Sequence, residues 1–290
     1  MTDRHTRFLR LLMGPAGPAL LGALLYLNTF PNGFVFDDKT AIQENVVVTE
    51  GRVREILGGP YYLGGTAWKV YRPMSVGSHA AVFLAAGSRP WASHLANVLC
   101  HAAVCALVVV VCRPFLPGPA ALAAGLLFAV HPVHTEPVNY LVGRAELLAA
   151  AGFLLAWRLA QMDRPLAAGA AYLLGLASKE NAVGLPAFVL AATWWHRRAG
   201  RNGGRGQAPP LRVYSSMLAA AGIYFILRRR ALGTLEPPAW TEYDNIAGAA
   251  PAIDRILTAT AALGRHLGLL VWPARLSADY SYHQIPLVTS

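Results

Sequence analysis

A chain of 290 residues that is 55% hydrophobic but only 14% charged carries far less charge than the roughly 25% of an average soluble domain. Its apolar residues come in long blocks, which excludes an ordinary water-soluble globule and predicts an all-α, polytopic integral membrane protein. The net charge of +10 has no Lys-rich tail and no basic-aromatic interleaving. That excludes nucleic acid as a partner and points to cytoplasmic loops and membrane lipid headgroups.

Residues 11–30 (LLMGPAGPALLGALLYLNTF) follow Arg4, Arg7 and Arg10. No small-x-small cleavage site follows them, so they read as an uncleaved first transmembrane helix. Residues 31–92 form the longest polar section and the first external loop, with part of 73–87 apolar enough to lie against the membrane. Apolar stretches then recur near 94–112, 115–130, 143–160, 165–178, 181–195 and 211–227. Several are short for a lone span and are expected to cross within a bundle. Cys100, Cys105 and Cys112 lie in one of these stretches without metal spacing and read as packing residues. The Gly- and Arg-rich segment 196–210 is expected to be a flexible cytoplasmic loop inside a single domain spanning 1–290. In 253–271, Ile253, Ile256, Leu257, Thr260, Leu263, Leu267, Leu270 and Val271 recur at helical spacing opposite Asp254, Arg255, Arg265 and His266. That pattern predicts an amphipathic helix lying in the membrane interface.

With the N-terminus inside, 11 of the 25 Lys and Arg fall inside, which is no clean positive-inside bias, and Arg228, Arg229 and Arg230 fall outside. Of the 15 acidic residues, only Asp3 and Asp163 fall inside. This topology puts every polar motif on one face, where a single active site would need them.

Six sets of residues are candidates for chemistry. Asp37 and Asp38 follow the first helix; paired carboxylates can serve as a general base or bind a cation, and equally can be solvated turn acids. Arg72, in Tyr71-Arg72-Pro73, suits a phosphate or snorkels at the interface. His131, His134 and Glu136 lie between two apolar stretches and suit a divalent metal, or form a polar hairpin. Arg144 and Glu146 follow at the lip of the next helix, as functional residues at membrane depth or as a mutual pair. Lys179 and Glu180 join two short apolar segments, with Lys179 a phosphate candidate and Glu180 a helix cap by the plainer reading. Finally Asp279 and Tyr280 could shape an acceptor groove, or belong to an interfacial aromatic belt.

The order of these motifs is more specific than any one of them. NGFVFDD, YRP, NVLCHAAVC, LLFAVHPVHTEPVNYLVGRAELLA, ASKENAVGLP and LVWPARLSADYSYHQIPLV occur in that sequence over nearly the whole chain. Together they resemble the transmembrane region of the transmembrane and tetratricopeptide repeat-containing O-mannosyltransferases and their bacterial relatives. The resemblance implies a GT-C multi-helix bundle and a polyprenyl-phosphate sugar, dolichyl-phosphate mannose in eukaryotes, as donor. It also implies a protein Ser or Thr hydroxyl as acceptor. An acid of the first external loop is the general base in that fold, which maps onto Asp37 and Asp38. The resemblance further makes Lys179, Arg144 and Arg72 candidates for the donor phosphate. His131, His134 and Glu136 match the family's external-loop motif. Such proteins continue into further helices and tetratricopeptide repeats, so this chain is expected to be partial. Its Arg-, Ala- and Gly-rich composition favours a bacterial inner membrane with a periplasmic active face over the endoplasmic reticulum. Two readings compete: a GT-C transferase with a lipid or glycan acceptor, and a transporter or flippase of a polyprenyl-linked sugar. The absence of an internal repeat and the one-sided polar motifs weigh against transport.

Overall fold

The computed structural model describes residues 12–62, 70–198, 209–235, 246–277 and 284–289. Every regular element among them is helical, as the composition predicts. In chain order the α-helices are α1 Ala16–Leu25, α2 Val46–Thr49, α3 Val53–Gly58, α4 Pro73–Ala86, α5 Pro90–Cys112 and α6 Gly118–Val130. They continue with α7 Thr135–Asn139, α8 Arg144–Gln161, α9 Pro165–Ser178, α10 Leu185–Arg198, α11 Leu211–Leu232 and α12 Ala252–Val271. A π-helical turn (Lys39–Gln43) and short 3-10 turns (Leu27–Thr29, Pro132–His134, Leu141–Gly143, Glu180–Gly184) link them.

The helix boundaries follow local chemistry. Proline stands at the first or second position of α4, α5, α6 and α9, where its missing N–H costs nothing and its fixed φ fits. Helix α11 ends at Gly233, whose φ of 71° is left-handed, the conformation in which glycine closes a helix.

Spans and loops differ from expectation in length. Among the described residues, α5 alone, at 23 residues, is long and apolar enough to cross a membrane by itself. Pro132–Asn139 and Leu141–Gln161 qualify only as a pair, bent by 107°. Pro73–Ala86, Gly118–Val130 and Pro165–Ser178 are shorter apolar helices, and at about 1.5 Å per residue they fall short of a hydrocarbon core of roughly 30 Å. The expected first span is interrupted too: α1 covers 10 residues and gives way to the 3-10 turn at Leu27–Thr29. The section 31–92 is not an open loop in its described part. Ala41, Ile42, Val47, Val48, Ile56, Tyr61, Val76, Ala80 and Leu141 form a small core that packs α2, α3 and α4 together. Of the segment expected to be a flexible loop, 196–198 end α10 and 199–208 lie outside the described residues.

The contacts sort into two ends of one bundle. At one end Arg212 pairs with Asp163, Ser216 donates to Pro165 O (2.7 Å) and Gln161 donates to Val111 O (3.1 Å). At the other end Ser75 donates to Ser178 O (2.9 Å), Tyr224 donates to Tyr71 O (3.2 Å) and Lys179 pairs with Glu146. The main core lies between them, where Ala149, Ala156, Ala171, Tyr172, Leu176, Leu185, Met217 and Tyr224 pack α8 to α11.

Small residues set the spacing of α8 and α9. A Cβ on Gly152 would stand 2.6 Å from Gly175 Cα and 3.0 Å from Ala171 O, so the two backbones touch and cannot yield without separating. Gly152→Val should lower the thermal stability of the purified protein in detergent by about 1–3 kcal/mol, the usual range for overpacking. An unchanged melting temperature would show that α8 and α9 can part without cost.

Candidate functional site

The site begins where α8 is anchored. Arg144 is buried, with 1% of its surface exposed. Its guanidinium donates from Nε to Asn97 Oδ1 (2.7 Å), from Nη1 to Ser78 O (3.2 Å) and from Nη2 to Ser93 O (2.9 Å). A planar fork reaches all three acceptors at once, which the point charge of a lysine could not. Three donors of Arg144 are thereby committed to α4 and α5. The arginine expected to meet a donor phosphate is thus engaged with Asn97 and with two backbone carbonyls of the protein itself. Arg144 does not pair with Glu146 either.

Asn97 passes the constraint onward. Its amide nitrogen donates to Val138 O (3.2 Å), Tyr140 O (3.2 Å) and Leu141 O (3.4 Å), fixing the turn between α7 and α8. That turn in turn holds the acids. Val142 N–H donates to Asp38 Oδ1 (3.0 Å), and Asp37 N–H donates to Tyr140 Oη (3.0 Å).

Asp37 and Asp38 have opposite environments. Phe36 before them has a left-handed φ of 45°, a conformation that costs energy for a bulky residue and is found at functional sites. It helps send the two carboxylates different ways. Asp38 is fully buried and also accepts from Val35 N–H (3.2 Å). Asp37 is exposed, and its carboxylate accepts a hydrogen bond from Tyr62 Oη (3.1 Å). Burial, outweighing the amides of Val35, Val142 and Leu141, pushes the Asp38 carboxyl above the usual carboxylate range. Burial likewise pushes the Tyr62 phenol up, with Tyr61 and Asp37 adding to it.

Arg72, Glu180 and Arg228 form the charged rim. Glu180 Oε2 accepts from Arg72 Nε and Nη2, both at 3.0 Å, and Oε1 accepts from Arg228 Nη1 at 3.2 Å. Lys179 pairs with Glu146, whose other oxygen accepts from Asn181 Nδ2 (2.8 Å). Glu180 is thus a bridge between two arginines, beyond the helix cap of the plainer sequence reading. The rim and the acids meet through adjacent tyrosines: the Arg72 guanidinium lies 5.7 Å from the Tyr61 ring centre, and Tyr62 holds Asp37.

The loop 131–136 does not gather into a metal centre. His131 Nδ1 accepts from Val133 N–H (3.2 Å), and its Nε2 lies 3.1 Å from Leu270 O, to which it donates. Both ring nitrogens are used. His134 stacks on Phe128, ring centres 4.0 Å apart, and Glu136 is exposed. No group of three His, Cys, Asp or Glu among the described residues could hold a metal ion. Asp279 and Tyr280 lie outside the described residues. Asn97, Tyr62, Tyr140 and Arg228 are the members of the site that sequence reasoning did not find.

Helix α12 forms where the helical spacing predicts it. Its Ile253, Ile256, Leu263, Leu267 and Leu270 are exposed, whereas Asp254 and Thr258 are buried. Arg255, Arg265 and His266 are exposed as well, so most of α12, apolar and charged residues alike, faces outward.

Residues 234–290 match the family described as Protein O-mannosyl-transferase TMTC, DUF1736. The chain is 36% identical to Protein O-mannosyl-transferase Tmtc2 of Drosophila melanogaster over 293 residues, 93% of this chain and 30% of that protein. It is 29% identical to human Protein O-mannosyl-transferase TMTC3 over 302 residues, 91% of this chain and 32% of that protein. A 43% identity to Protein O-mannosyl-transferase Tmtc1 of Drosophila covers 50% of the chain and 18% of that protein. The chain thus spans less than a third of the length of these relatives. No solved structure matches it.

A raised Asp38 value fixes the sign of a pH effect. The stability contributed by the protonated carboxyl is fully present below its unfolded value of about 3.9 and is lost as pH rises through the higher folded value. Melting temperatures in detergent should therefore fall as pH rises from about 4 towards neutrality, and Asp38→Asn should flatten that fall. An unaltered slope in Asp38→Asn would assign the effect to another group.

Proposed function

The chain belongs to the TMTC family of protein O-mannosyl-transferases, and on that premise we propose that it is the membrane-embedded part of a glycosyltransferase acting on proteins. The donor is a polyprenyl-phosphate sugar, with mannose the first choice, and the acceptor a Ser or Thr hydroxyl. The carrying observation is the division of labour between Asp37 and Asp38. Only Asp37 is exposed, and its carboxylate is oriented by Tyr62 while its backbone is held by Tyr140.

In this reading Asp37 is the general base. It takes the proton of the acceptor hydroxyl as the hydroxyl oxygen bonds to the anomeric carbon of the sugar. The bond from that carbon to the phosphate oxygen breaks on the opposite side, the polyprenyl phosphate leaves with the electron pair, and the configuration inverts. Asp38, buried and bonded to two amides, sets the loop rather than the chemistry. Arg72 and Lys179 offset the charge that grows on the phosphate.

A membrane location has three supports: the span α5, the outward apolar face of α12, and large exposed apolar side chains on other helices, among them Leu127, Leu190, Trp195, Leu218 and Ile226. The shorter helices would cross with the bilayer thinned around them. The polar residues gather at one end of the bundle, which favours a transferase over a midplane transport site. The relatives named above are animal proteins, so the comparisons lend no support to a bacterial inner membrane.

The test is transfer of labelled mannose from polyprenyl-phosphate mannose to a Ser/Thr peptide, in membranes carrying the full gene product. Asp37→Asn should lower transfer by about 10²-fold or more at unchanged expression, the scale of a lost general base. Wild-type transfer by Asp37→Asn would remove it from the chemistry.

A further inference from the structure

Two arginines from distant parts of the chain converge on one carboxylate. Arg72 precedes α4 and Arg228 lies on α11; their side chains are 20% and 13% exposed, and the Glu180 side chain between them is 30% exposed. The arms of this pincer are tied to each other independently of Glu180. Tyr224, one helical turn before Arg228, donates to Tyr71 O, next to Arg72 (3.2 Å), and Tyr71 Oη donates to Leu57 O (2.8 Å). Removing Glu180 would leave two half-buried guanidinium groups still facing each other. The Tyr61 hydroxyl, on the ring that Arg72 covers, is buried without a hydrogen-bond partner among the described residues.

We propose that Glu180 occupies, in the ligand-free chain, the seat of a lipid-linked phosphate, and that Arg228 is a ligand of that phosphate together with Arg72. This rests on the glycosyltransferase reading for its ligand class. A carboxylate and a phosphate offer guanidinium the same paired oxygens, and a phosphate offers one more. A phosphodiester donor carries one negative charge, as Glu180 does, so exchange on binding leaves the rim's net charge unchanged. The departing phosphate monoester gains charge as the sugar bond breaks, and two guanidinium groups match it better than one. Glu180 therefore keeps the pincer neutral and shaped before the donor arrives, and competes with it weakly. Being partly exposed on a short 3-10 turn, its side chain can rotate into solvent.

Binding of farnesyl phosphate to the purified full-length protein, measured by thermal stabilisation or direct titration, tests this without needing turnover. Farnesol is the uncharged control, and inorganic phosphate separates a lipid phosphate from a free anion. Glu180→Gln should tighten farnesyl phosphate binding by about 3–10-fold, the effect expected from removing one weakly competing ion pair. Arg228→Met and Arg72→Met should each weaken it by about tenfold or more, as loss of a charge-assisted bond does. Farnesol should not respond to any of the changes, and inorganic phosphate should bind far less tightly than farnesyl phosphate. Weaker farnesyl phosphate binding in Glu180→Gln, with its melting temperature kept, would overturn the competing role. If Glu180→Gln does not fold, Glu180→Ser takes its place and must show the same tightening. Unchanged binding in Arg228→Met would remove Arg228, and equal responses to farnesol would overturn a phosphate seat altogether. Should the binding order hold while the full-length wild-type protein transfers no sugar, the seat stands and the transferase reading falls.

Discussion

A buried guanidinium with no carboxylate partner among the described residues is the constraint on which the site depends. Removing Arg144 from water is costly, and the cost is offset only because three acceptors on two helices meet its fork. Satisfying it fixes α4, α5 and the start of α8 relative to one another. Asn97 then carries that fixity into the turn 138–142, and the turn's Val142 and Tyr140 hold Asp38 and Asp37. A buried charge is thereby linked, through Asn97 and the turn, to the place where the exposed acid stands.

The two ends of the bundle differ in how their charges are used. At one end a single exposed pair, Arg212 with Asp163, fastens α11 to the turn before α9, a contact of small energetic consequence in water. At the other end Arg72, Glu180 and Arg228 form one half-buried set and Lys179 with Glu146 another, and Tyr61 and Tyr62 lie between Arg72 and Asp37. Low local dielectric strengthens such contacts, and a lipid phosphate would enter a rim whose cations are already oriented.

Much of this layout was legible in the sequence. Helical class and the helical spacing of α12 followed from hydropathy period, and the motifs at Asp37, Arg72, Glu146 and Lys179 meet at one end of the bundle. What stayed hidden is long-range: Arg144 meets Asn97 across 47 residues and Arg72 meets Glu180 across 108, and no local pattern encodes which partner a charge finds. Two signals were nevertheless present. Ser93, His94, Asn97 and His101 fall at helical spacing within the apolar stretch 90–112, a polar stripe that is buried in the structure. Arg228, which read as a violation of the charge rule, pairs with Glu180 at that same end. The span lengths were the least legible feature, because an apolar stretch does not reveal where Pro, Gly or a 3-10 turn interrupts it.

Hydrogen exchange in Arg144→Lys tests the central claim most directly. Lysine keeps the charge but cannot satisfy Asn97 Oδ1, Ser78 O and Ser93 O together. The account predicts faster exchange than wild type in two segments at once, 35–38 and 138–143, whose amides at Val35, Asp37 and Val142 are bonded through the relay. Wild-type protection of 35–38 in a folded Arg144→Lys protein would contradict it, and would mean that the acids are placed without the buried arginine.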